Sequence, residues 1–135
     1  MATTTSKKIE RADSNKGFIP VAATIKLPQA SLVFRDANGY GTNVINSGAN
    51  PFVGVAETEA DNTNGANGDI NAELFQEGKF PVIMAGLTQA DVGKKAYATD
   101  NDTASLTSTS RTYIGTIAEV VSATKAFVQI DIQLP

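Results

Sequence analysis

The chain contains neither cysteine nor histidine. Without cysteine there is no disulfide framework, no thiolate nucleophile and no sulfur-ligated metal. Without histidine the commonest general base is missing, and so is a frequent metal ligand. Tryptophan is also absent. No apolar run approaches the ~20 residues that a bilayer-spanning helix needs, which argues against a membrane protein. Lys7 and Lys8 are not followed by an apolar stretch, so the N-terminus does not read as a secretory signal and folding in the cytoplasm is expected.

What is present is enough for one compact domain. At 135 residues, 41% hydrophobic and 19% charged, the chain should bury about 70% of the surface it exposes when unfolded. The net charge of −3 is unevenly spread, with +2 on the first 16 residues and −5 on the rest. Residues 1–16 are polar and threonine-rich, with Ile9 as the one large aliphatic residue after Met1, and are predicted to form a flexible arm ahead of a single β domain over 17–135. A basic arm carrying Lys7, Lys8, Arg11 and Lys16 suits an acidic partner surface, with Ile9 as an apolar anchor. The acidic body argues against nucleic acid as a ligand.

From Gly17 onward, short β-forming runs alternate with glycine, asparagine and proline clusters. Strands are predicted over 18–27, 31–36, 43–45, 52–57, 70–75, 79–84, 95–99, 105–107, 112–121 and 126–134. The fold class is therefore all-β, a small sandwich or barrel. In the last run Val128, Ile130, Ile132 and Leu134 alternate with Phe127, Gln129, Asp131 and Gln133, one face core and one face wet. Asn38-Gly39 marks a tight hairpin, Gln76-Glu77-Gly78 a chain reversal, and Thr88 to Gly93 one capped helical turn. The nine aromatics fall about one per strand or turn, which is core spacing, with Tyr40 expected to be the most exposed.

Laid against itself, the chain repeats. Ile19-Pro20-Val21-Ala22 matches Phe80-Pro81-Val82-Ile83 at a spacing of 61, and Phe52-Val53-Gly54-Val55-Ala56 matches Tyr113-Ile114-Gly115-Thr116-Ile117 at the same spacing. Phe34 and Tyr97 align after a shift of two more residues. Two degenerate repeats follow, about 17–75 and 78–134. Gly54 and Gly115 then become equivalent structural glycines, mid-strand positions where glycine marks a bulge, a bend or a close backbone approach. Pro20 and Pro81 are placed at equivalent strand starts.

No catalytic constellation emerges, and neither a cofactor nor a metal site is expected. Gly86 to Gly93 followed by Lys94-Lys95 has the wrong glycine spacing for a phosphate loop. Asp61 to Asp69 lacks the closing glutamate of a calcium loop and reads as a flexible surface loop, while Asp100-Asn101-Asp102 reads as a hairpin turn. Glu57, Glu59 and Glu119 lie near the repeated glycine strands, and an enzyme would need them gathered in one pocket. A binding module would instead use Tyr40 with the polar loop 62–68.

The order of motifs, from Phe52-Val53-Gly54-Val55-Ala56 through Gly78-Lys79-Phe80-Pro81-Val82, Asp91 to Tyr97 and Tyr113-Ile114-Gly115 to Ala126-Phe127-Val128-Gln129-Ile130, resembles small capsid decoration, or cement, proteins of tailed bacteriophages. The resemblance runs from about Phe52 to the C-terminus. It implies a β-barrel or β-tulip body with an extended N-terminal arm, a homotrimer, and an arm that pairs with strands of the major capsid protein on the capsid surface of the virion. A receptor- or glycan-binding fibre module is the competing expectation.

Overall fold

The computed structural model describes residues 16–132, and Lys7, Lys8, Ile9 and Arg11 lie outside them. The chain is all-β. The first half contributes β1 (Lys16–Pro20), β2 (Lys26–Leu27), β3 (Leu32–Arg35), β4 (Gly41–Thr42), β5 (Phe52–Ala56), β6 (Ala60–Asp61) and β7 (Asn71–Phe75). The second contributes β8 (Glu77–Ile83), β9 (Lys95–Ala98), β10 (Ala104–Ser105), β11 (Thr112–Ser122) and β12 (Lys125–Asp131). Two 3-10 turns, Asn46–Gly48 and Gln89–Asp91, complete the inventory.

Two five-stranded antiparallel sheets form, in the orders β1-β7-β5-β3-β4 and β8-β12-β11-β9-β10. Strand for strand, the second order repeats the first. Each sheet also curls until a single parallel bridge forms across its open side, from Val21, just past β1, to Gly41 of β4 in one and from Ile83 of β8 to Thr103, just before β10, in the other. One bridge is not a ladder, so neither sheet is a closed barrel, and the arrangement is sandwich-like. The chain crosses between sheets at Gln76, where β7 ends and β8 begins without pairing to it. The reversal expected at Gln76-Glu77-Gly78 is thus a sheet-to-sheet crossing and not a hairpin.

The repetition extends to irregularities. In the β3/β5 ladder Val33 pairs with Gly54 and Phe34 with Phe52, leaving Val53 as the extra residue of a bulge. In the β9/β11 ladder Ala96 pairs with Gly115 and Tyr97 with Tyr113, leaving Ile114 as the extra residue. Both extra residues are buried, so each bulge adds a core side chain where a regular strand would have alternated it outward. The hairpin turns also correspond. Asp36 Oδ1 accepts the N–H groups of Asn38 and Tyr40, while Asp100 Oδ1 accepts those of Asp102 and Thr103.

Several boundaries differ from the sequence expectation. The run 18–27 is two strands, because Ala22 to Ile25 turns back with Thr24 at positive φ and the Ile25 N–H on the Ala22 carbonyl. Pro20 ends β1 and Pro81 lies inside β8, so neither starts its strand. Both sit on edge strands, where a missing amide donor leaves no ladder bond unmade. In β12, Ala126, Val128 and Ile130 are buried and alternate with less buried neighbours, as the period-2 pattern requires.

Two apolar clusters fill the body. Ile19, Val21, Leu27, Val33, Val53, Ala56, Ala60, Ala72 and Leu74 form one inside the first half, under the β2/β6 pair. The other joins the second half's interior, including Val82, Ala96, Ile114, Ile117, Val128 and Ile130, to Leu32, Phe34, Phe52 and Val55 of the first half. Strand β5 is therefore buried along its whole length, one set of residues serving each cluster.

Candidate interaction surfaces

The duplication makes the surface legible by comparison. In the first half Phe34 and Phe52 touch, ring centroids 6.0 Å apart, and are buried against the second half. Their counterparts Tyr97 and Tyr113 also touch, at 5.9 Å, but Tyr113 is 51% exposed. Around them Leu32 and Val55 correspond to Lys95 and Thr116, and the Lys95 ammonium lies 5.8 Å from the Tyr113 ring centre. One sheet face is apolar and covered. Its equivalent is amphipathic, with Lys95 and Tyr113 exposed and Tyr97 and Thr116 part-buried.

Where the halves meet, the starts of β5 and β11 lie side by side. Thr112 Oγ1 donates to the Asn50 carbonyl at 3.1 Å. Gly48, at φ +89°, sits so close to Arg111 that a Cβ there would stand 2.8 Å from the Arg111 carbonyl oxygen. The Ile132 N–H donates to the Gln76 carbonyl, and the Leu32 N–H to that of Asn101. Between these contacts a groove of about 700 Å³ opens, lined by Pro51, Phe52, Ile114 and Ile132 with Arg111, Tyr113 and Asp131. No sequence signal marked Arg111.

The residues singled out on sequence fall in separate places. Lys16, assigned to the arm, is the first residue of β1; its ammonium lies 3.3 Å from Glu57 Oε1 and 5.2 Å from the Phe75 ring centre. Glu59 pairs with Lys26 at 3.4 Å and Glu119 with Lys79 at 3.0 Å. The three glutamates thus face three different lysines, and no group of three His, Cys, Asp or Glu able to hold a metal occurs among the described residues. Gly54 and Gly115 lie where a Cβ would press on backbone, on the Phe75 carbonyl oxygen at 2.6 Å and on the Gln129 carbonyl oxygen respectively.

Tyr40 is not the most exposed aromatic; Phe18, on the outer side of edge strand β1, is 66% exposed. The Tyr40 amide is held by Asp36, and its ring edge lies against Gly68, so Tyr40 and the 62–68 loop are neighbours. That loop is organised from inside. Asn62 is 3% exposed, and its side-chain amide donates to the carbonyls of Val21, Ala22 and Ala66.

Local hydrogen bonds hold three carboxyls below their ordinary value. Asp61 is lowered first by the Thr63 hydroxyl and then by the Thr63 N–H. Asp91 is lowered by the Thr88 N–H at 2.9 Å and by Lys94 Nζ at 2.9 Å, the capped turn expected from sequence. At Asp100 burial works in the opposite direction and is outweighed by the Asp102 and Thr103 hydrogen bonds. All three are explained by turn architecture.

No protein-family model matches the chain, and neither a curated protein nor a solved structure does.

Proposed function

We propose that the chain is a structural virion protein that binds the outside of an assembled phage capsid as a homotrimer and stabilises the shell, without catalysing a reaction. The observation that carries this reading is the position of β1. Lys16 lies on β1, an edge strand of the first sheet, and the basic residues Lys7, Lys8 and Arg11 precede it in sequence. A threonine-rich segment attached to an edge strand is suited to add as a strand to a capsid-protein sheet, with main-chain hydrogen bonds supplying affinity and Ile9 the anchor. The motif order from Phe52 onward, similar to decoration proteins, supports the same reading. Weak contacts repeated over a shell favour the assembled form by mass action.

The test is co-sedimentation with undecorated, expanded capsids, comparing the whole chain with a variant lacking residues 2–15 and counting subunits by light scattering. The expected result is saturable binding by a trimer, weakened by the deletion. A whole chain that stays in the supernatant overturns the proposal, and undiminished binding by the truncated chain overturns the role of the arm.

The contact between Tyr40 and Gly68 favours one second reading, a receptor- or glycan-binding tip. Tyr40→Ala separates the two. It abolishes attachment to host cells if that reading holds, and leaves capsid binding unchanged if decoration holds.

A further inference from the structure

Glycine follows asparagine three times in the chain, at Asn38-Gly39, Asn64-Gly65 and Asn67-Gly68, all in the first half. Asparagine is chemically labile in this setting, because a glycine amide nitrogen, unshielded by any Cβ, can attack the asparagine Cγ. The attack requires that nitrogen to shed its proton, and a hydrogen bond made by the N–H opposes it. In the folded chain all three N–H groups are engaged. Gly39 donates to the Asp36 carbonyl at 3.0 Å, Gly65 to that of Asn62 at 3.0 Å and Gly68 to that of Val21 at 2.9 Å. The ties differ in what it takes to break them. Gly68 reaches across the fold to a fully buried residue, and Asn67 Oδ1 is itself held by the Ala23 N–H at 2.7 Å. Gly65 lies so close to buried Asn62 that a Cβ there would overlap its side-chain oxygen, and the Gly65 carbonyl accepts the Thr24 N–H at 3.3 Å. Gly39 closes only a local turn; it and Asn38 are exposed, and nothing lies within 4 Å of where a Gly39 Cβ would stand.

We propose that Asn38 is a site of spontaneous covalent modification, passing through a cyclic imide to an aspartyl or isoaspartyl residue, and that the fold shields Asn64 and Asn67 from the same reaction. The Gly39 nitrogen gives its proton to hydroxide and bonds to Asn38 Cγ. The Cγ–Nδ2 bond breaks, and the departing nitrogen takes a proton from water and leaves as ammonia. A second water opens the ring at either carbonyl, giving the aspartyl form or an isoaspartyl form whose backbone runs through the former side chain. The reaction proceeds from an opened backbone, so its rate follows the local opening free energy, which is small at a hairpin tip and larger for a loop tied into the core. Either product places a new negative charge beside Asp36, whose Oδ1 accepts the N–H groups of Asn38 and Tyr40. The isoaspartyl form also adds a backbone carbon to a turn fitted by those two bonds. Modification therefore loosens the turn and draws Tyr40 away from Gly68, its neighbour in the 62–68 loop. The inference holds whatever surface the chain binds.

The test incubates the whole chain at mildly alkaline pH, folded and in guanidinium chloride, and follows each dipeptide by peptide mapping with mass spectrometry, with isoaspartyl counted by enzymatic methylation. Hydrogen exchange of the Gly39, Gly65 and Gly68 amides on fresh protein reads the opening of the same three groups. In denaturant the three dipeptides should react at comparable rates. In the folded chain Asn38 should react first, with Asn64 and Asn67 slowed at least about tenfold relative to denaturant and the rates ranked inversely to exchange protection. Asp36→Ala, which removes the acceptor of the Asn38 and Tyr40 N–H groups, should speed the reaction at Asn38 and leave Asn64 and Asn67 unchanged. Equal rates at the three sites of the folded chain, or Asn64 or Asn67 reacting ahead of Asn38, overturn the proposal. An Asn38 rate that Asp36→Ala leaves unmoved overturns the turn's hydrogen bonds as its control.

Discussion

Gly54 and Gly115 stand at the same point of two separate sheets, each beside a bulge and each with a neighbouring strand's carbonyl where a side chain would begin. Both also have positive φ, +148° and +158°. Gly54→Ala and Gly115→Ala should each destabilise the fold by about 2–3 kcal/mol, since backbone cannot swing aside as a side chain can. Gly39→Ala, at a turn with nothing nearby, should cost only about 1 kcal/mol. Urea denaturation of the three variants checks the ranking.

The aromatic pairs predict opposite outcomes for equivalent substitutions. Phe34→Ala empties a fully buried site and should cost about 3–5 kcal/mol. Tyr113→Ala, on the open face, should cost under about 1 kcal/mol. Equal losses in chemical denaturation would mean that the second sheet's outer face is covered after all.

Asn62 serves three carbonyls with one amide. Asn62→Asp removes those donors and sets a carboxylate among acceptors, so a loss of at least about 2–3 kcal/mol is expected. Limited proteolysis should then cut within 62–69 first, because the loop loses its internal tie.

The depressed carboxyls predict an acid-labile fold with a defined sign. A group whose folded-state value is lowered contributes stability that is fully present above its ordinary value, near 3.8, and is lost as pH falls through the lowered one. Stability attributable to Asp61, Asp91 and Asp100 should therefore be flat from pH 7 to about 5 and decline below about 4. Asp91→Asn should shallow that decline while lowering the pH 7 thermal midpoint.

Much of this architecture was readable in the residues. The alternation in β12, the Asn38-Gly39 turn, the Thr88 to Gly93 cap and the 61-residue spacing each follow from short-range chemistry. Strands β2 and β6 were not readable as a pair, since two residues carry no period and the paired residues, Lys26 with Asp61 and Leu27 with Ala60, are far apart in sequence. Strand β5 concealed which faces it buries because it buries both. The covered face was nevertheless encoded: Leu32, Phe34, Phe52 and Val55 align with Lys95, Tyr97, Tyr113 and Thr116, apolar against amphipathic at every position. Read as a difference between copies, that alignment marks which copy is sheltered. Asn62 and Arg111 gave no signal, because burial of a single polar residue depends on distant strands.

The division of the chain at Gln76 gives the two halves different histories during synthesis. The half made first carries the apolar outer face, and its cover, the second half, has yet to leave the ribosome. Once residue 76 has emerged and before the second half has, a curled first sheet would hold Leu32, Phe34 and Phe52 turned to water, an interval in which the chain is prone to stick. The half made last has a hydrated exterior and arrives as the lid.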